Sequence, residues 1–125
     1  MTPNEIDLVK KIRAGFVAQG GPSFDPERAA LTPMIGGCMY RSPGGSKCAV
    51  GLLIDDAYYS PDLEGKFVES NAVRQAVGLS IGRSLTEQEI YTLAKLQEQH
   101  DYYAEEPDFL DKMLNYIDDM LGHAE

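Results

Sequence analysis

Cys38-Met39-Tyr40-Arg41 and Lys47-Cys48-Ala49-Val50 flank the run Ser42-Pro43-Gly44-Gly45-Ser46. Two short apolar-polar segments around a Pro-Gly-Gly turn predict a β-hairpin. An isolated hairpin is marginal in water, so helices are expected to pack on it. Gly51-Leu52-Leu53-Ile54 fits either the start of a short helix or an extension of the second strand. This stretch sets the expected fold class: α+β, a mostly helical single domain of four or five helices packed around one short β-hairpin.

Helices are predicted on both sides. Thr2 and Glu5 have capping-box spacing and Pro3 suits a first turn, so a helix is expected over Pro3–Gln19, with the stripe Ile6, Val9, Ile12, Phe16. Gly20-Gly21-Pro22 ends it, and residues 22–37 read as an irregular connection. Asp55 to Gly65 reads as turn and loop. A helix over Asn71–Val77 follows, capped by Ser70 or Asn71, with Gly78 to Arg83 as linker. Thr86 and Glu89 repeat the capping box and open the next helix, to Tyr103. The last helix is expected from Glu106-Pro107-Asp108 to Leu121, its apolar face formed by Phe109, Leu110, Met113, Leu114, Ile117, Met120 and Leu121.

The Thr86–Tyr103 helix carries the strongest functional signal. Ile90, Leu93, Ala94 and Leu96 mark its apolar face, yet Gln97 and His100 project from the middle of that face and Asp101 lies on its edge. A buried imidazole needs hydrogen-bond partners. The expected partner is the cysteine-flanked hairpin.

Composition bounds the rest. The chain has 125 residues, 43% hydrophobic and 25% charged, which reads as one globular domain. No run reaches a membrane span, and the first residues lack a secretory signal, so a cytoplasmic setting is expected, with Cys38 and Cys48 as reduced thiols. The net charge of −9 disfavours direct nucleic-acid binding.

Three constellations can carry chemistry. Cys48 follows Lys47 and can precede a helix start, and both features favour thiolate. With His100 as base and Asp101 or Gln97 as orienter, it makes the parts list of a cysteine nucleophile. The tip from Arg41 to Lys47 resembles an anion cradle: glycine-turn amides flanked by Arg41 and Lys47, with Tyr40, Tyr58 and Tyr59 as stacking surfaces and Arg74 and Arg83 as further charge. It lacks P-loop spacing. Exposed Tyr91 and Tyr102 suit a protein partner. No cofactor is expected and no metal: the cysteines are too far apart for a close zinc pair, and only His100 and His123 remain as ligands. The thiols then read as small hydrophobes. The paired acids Asp55-Asp56, Glu105-Glu106 and Asp118-Asp119 diverge on a helix and read as solvated surface.

The run from Cys38 to Asp55 resembles C-x-Y-R-x-P-x-G-x-K-C-A-(I/V)-G-x-L-I-x-D, whose final position falls on Asp56. Tyr59 to Gly65 follows Y-x-P-x-x-E-G, and Leu96 to Asp101 follows L-Q-x-x-H-D. Together they resemble a family of small uncharacterised phage and prophage proteins, over roughly residues 38–65 and 96–101, with Phe109 where a Trp often follows. The resemblance implies that the hairpin and His100-Asp101 form one constellation. It also implies a phage or prophage accessory protein in a bacterial host cell. The expected function is therefore a binding protein, counter-defence or host-modulating, which binds a host protein or sequesters a phosphate-bearing signalling nucleotide. Its expected ligand surface is Tyr40, Arg41, Lys47 and Gln97. The alternatives are a small cysteine-dependent hydrolase or transferase using Cys48, His100 and Asp101, and an acidic DNA mimic. A homo-oligomer is compatible with the amphipathic last helix.

Overall fold

Helix α1 (Pro3–Gln19) begins at its capping box: the Glu5 N–H donates to the Thr2 hydroxyl at 3.1 Å, and the Thr2 N–H donates to the Glu5 carboxylate at 3.0 Å. The structure, a computed structural model, describes residues 1–31 and 37–124. Residues 32–36 of the irregular connection, and the side chain of His123, lie outside the described residues. The further helices are α2 (Pro26–Leu31), α3 (Asn71–Ile81), α4 (Glu87–Tyr103) and α5 (Phe109–Ala124). Three 3-10 turns, Gly51–Leu53, Asp56–Tyr58 and Pro61–Leu63, occupy the middle of the chain.

Helix α3 continues through Gly78, where a linker was expected. It stops where a residue can turn left-handed: Gly82 has φ +82° and its N–H donates to the Gly78 carbonyl at 2.9 Å. A second capping box, Thr86 with Glu89, opens α4. Helix α1 packs on α5 and on the Gly51–Leu53 turn, α4 packs on α5, and α3 packs on the turns at 51–58. The core between them holds Val9, Ile12, Phe16, Leu53, Leu93, Leu96, Met113 and Ile117.

The predicted β-hairpin is not formed. The described residues contain no strand or sheet, only an isolated antiparallel bridge between Phe24 and Cys38. The fold class is corrected to a mostly helical single domain with five α-helices among the described residues. Side chains explain why. The Tyr40 and Arg41 N–H groups donate to the Glu64 carboxylate at 2.8 and 3.1 Å. The Gln19 carboxamide accepts from the Lys47 N–H at 2.7 Å and donates to the Lys47 carbonyl at 2.8 Å. The Val50 N–H donates to Gln97 at 3.1 Å. The groups that a ladder would pair are satisfied elsewhere, so no strand partner is needed. Only the turn closes, with the Ser42 N–H on the Ser46 carbonyl at 2.9 Å. Gly51–Leu53 settles as a 3-10 turn, and Ile54 leaves it in an extended conformation. Gly51 must lack a side chain there, because a Cβ would collide with the Tyr40 carbonyl oxygen.

Two buried acids anchor helix starts. Burial raises the Glu5 pKa, but bonds from the Thr2 backbone, the Thr92 hydroxyl and the Thr2 side chain outweigh it, so Glu5 titrates below its usual range. The Thr92 bond is 2.9 Å long and ties α4 to α1. Arg83 holds Glu89 low through bonds of 2.8 and 2.6 Å, against the opposing effect of burial, with help from Thr86. Depressed carboxylates contribute stability above the unfolded-state pKa, and that contribution is lost as pH falls through the lower folded value. Thermal unfolding should therefore show stability falling as pH drops below the usual glutamate pKa of about 4.3. Thr92→Val should cost about 1–2 kcal/mol near neutral pH, read by denaturant unfolding.

Candidate functional site

His100 lies fully buried on the inner face of α4, its ring stacked on Phe16 at 5.8 Å and edge-on to Phe109 at 5.4 Å. The Ser23 N–H donates to its Nε2 at 3.0 Å. Nε2 is thus an acceptor, which puts the proton on Nδ1. Nδ1–H donates to Asp101 Oδ1 at 2.9 Å. The partner that the buried imidazole required is therefore a loop amide ahead of α2, together with the adjacent carboxylate.

Asp101 is a hub. Its Oδ1 also accepts from the Gln97 carboxamide at 2.9 Å, and Cys38 Sγ lies within 4.8 Å of the same carboxylate. Gln97 in turn accepts from the Val50 N–H at 3.1 Å. Ser23 extends the network, its hydroxyl donating to the Ser46 carbonyl at 3.0 Å. One turn of α4 thus fixes the loop before α2, the Cys38 segment and the Cys48–Val50 segment.

Cys48 and His100 are both buried, but neither ring nitrogen of His100 is free to take a proton from a thiol. Burial pushes the Cys48 thiol far above its ordinary pKa; Asp101 and Glu64 push the same way, and bonds to Gly51 and Gln97 offset only part. Burial, then the charge and hydrogen bond of Asp101, raise Cys38 likewise. A nucleophilic cysteine needs the opposite environment. Cys38 Sγ, a His100 ring nitrogen and an Asp101 oxygen lie within 4.8 Å of one another, a spacing a metal ion could span. The tautomer opposes it: Nδ1 carries the proton, and moving that proton to Nε2 would set two donors face to face at Ser23.

The tip residues are spent within the fold. Arg41 donates to the Ile54 carbonyl at 3.0 Å, pairs with Asp56 at 2.6 Å and lies 4.5 Å from the Tyr59 ring centre. Lys47 approaches the same Asp56 at 4.0 Å. The Tyr40 hydroxyl donates to the Lys66 carbonyl. Arg74 pairs with Glu87 and Arg83 with Glu89, so neither adds charge to the tip. Tyr91 and Tyr102 are exposed on α4.

A pocket of about 700 Å³ lies along α3, lined by Arg74, Leu79 and Arg83, among others, and a separate groove lies open between α4 and residues 64–70. An inner chamber of about 380 Å³ is lined by Cys38, Tyr40, Cys48, Glu64, Gln97 and Asp101, among others. An outer one of about 930 Å³ is lined by Phe67, Val68, Glu69, Ala94 and Glu98, among others. Lys66, Phe67, Gln97 and Asp101 line both, so the two adjoin. Phe67 is 79% exposed. Of the residues placed on the ligand surface from sequence, Tyr40 and Gln97 line the groove, while Arg41 and Lys47 do not. Glu64 and Phe67 had no role in that reading. Glu64 could have been found as the acid of the Y-x-P-x-x-E-G run; Phe67 carries no pattern.

The chain matches no protein-family model, no curated protein and no solved structure. No described helix is long and apolar enough to cross a membrane.

His100→Ala should cost about 3 kcal/mol or more in denaturant unfolding, since it empties a core position and orphans the Ser23 N–H. A thiol reagent at neutral pH should modify Cys48 only on unfolding. Rapid reaction of Cys48 in the folded chain would restore a nucleophilic role.

Proposed function

We propose that this chain is a small phage-type accessory protein that acts by binding, holding a segment of a host protein in the groove beside α4. The observation that carries this reading is the groove itself: Phe67, Val68 and Ala94 give it apolar surface, and Glu69, Glu98 and Asp101 give it acid. An exposed phenylalanine costs the free chain hydration free energy and suits burial against a partner. The resemblance to phage and prophage proteins supplies the host setting, and counter-defence or host modulation is the corresponding role. Protein is favoured over a phosphate-bearing nucleotide as ligand, because Arg41 and Lys47 are both turned to Asp56 and the groove is acidic.

A photo-crosslinking residue at position 67, expressed in bacterial cells, tests this against the same residue at Leu79, which is exposed on α3. The expected outcome is a discrete adduct from position 67 alone. The captured protein, once purified, should bind the wild-type chain and bind Phe67→Ser at least roughly tenfold more weakly, while Phe67→Ser unfolds within about 0.5 kcal/mol of wild type. Identical adducts from both positions would overturn the reading.

A further inference from the structure

We infer that the inner chamber is a socket for one arginine or lysine side chain of the segment held in the groove. This rests on the reading above and names what the partner must present. Glu64 and Asp101 both line the chamber. The partners that hold them are neutral: backbone amides and the Tyr59 hydroxyl for Glu64, the Gln97 carboxamide and the Nδ1–H of His100 for Asp101. Among the described residues, no ion pair to a Lys or Arg falls on either carboxylate. Both carboxylates thus line a partly enclosed space with neutral groups as their direct hydrogen-bond donors. Along the whole groove one lysine, Lys66, stands against Glu64, Glu69, Glu98 and Asp101.

The local field agrees with that geometry. Burial leads in raising the pKa of Cys38, Tyr40 and Cys48, and Asp101 adds to it in all three, with Glu64 adding at Tyr40 and Cys48. Three separate groups resist becoming anions in one chamber. Burial opposes any charge there, whereas the contributions of Asp101 and Glu64 depend on sign and favour a cation. The walls suit a long aliphatic stem ending in a charge: Met39, Tyr40 and Phe67 for the stem, the carboxylates for the head. A volume of about 380 Å³ admits such a side chain. The net charge of −9 favours encounter with a basic partner.

The test uses the full chain and arrays of octapeptides, randomised except for one position fixed as arginine, lysine, citrulline or leucine. Citrulline keeps the shape of arginine without its charge. The arginine and lysine pools should bind roughly tenfold above the citrulline pool, and less so at high salt. The arginine pool should also slow maleimide labelling of Cys38, which lines the chamber. Equal binding of arginine and citrulline pools, lost in Phe67→Ser, would overturn the socket and leave the groove standing. Binding by no pool above background would overturn both. An arginine preference without protection of Cys38 would overturn the assignment to the inner chamber. Equal binding of free arginine amide would replace the peptide with a small cation.

Discussion

The carboxylate of Asp101 is the point through which α4 organises the rest of the molecule. It accepts from His100 and Gln97, and Cys38 Sγ lies within 4.8 Å of it. His100 and Gln97 each pass the constraint on, to the Ser23 amide and to the Val50 amide. Two irregular segments, distant in sequence from α4, are thereby registered against one helical turn. A buried imidazole with both nitrogens bonded and two phenylalanine rings against it is an expensive arrangement to leave incomplete. That cost fixes where the segments ahead of α2 and around Cys38 and Cys48 must lie.

The same economy explains why a sequence shaped like a hairpin forms none. Strands pair because their amides need partners, and here Glu64, Gln19 and Gln97 reach those amides first. A carboxylate taking two adjacent N–H groups makes charge-assisted bonds, stronger than the neutral ladder bonds they replace. The glycine at 51 then lets the chain pass against the Tyr40 carbonyl, a proximity that a regular strand pair would not need.

The functional reading follows from what this architecture uses up and what it leaves. At the tip, Arg41 is bonded to Asp56 and to the Ile54 carbonyl and Lys47 stands 4.0 Å from the same Asp56, while Cys48 is buried and Cys38 half-buried near acids that oppose ionisation. Anion binding and thiolate chemistry lose their chief requirements. Glu64 and Asp101 are held by neutral donors and stand beside the exposed ring of Phe67, and on this the proposed binding of a partner rests.

Local signals in the sequence marked α1, α3, α4 and α5, but not α2, which falls in the stretch read as an irregular connection, nor the last turn of α3. The boundaries of α1 were legible because capping box and glycine stop are short-range chemistry, and the oddity of His100 on an apolar face was legible from helical periodicity alone. The convergence of the Cys38 segment with His100-Asp101 was expected from the resemblance. Only the tertiary structure decided the absence of a sheet, the direction of the His100 bonds and the exposure of Phe67. Each depends on contacts between residues far apart in sequence, such as Gln19 with Lys47 or Ser23 with His100. No pattern within a segment encodes which distant side chain will reach its amides first.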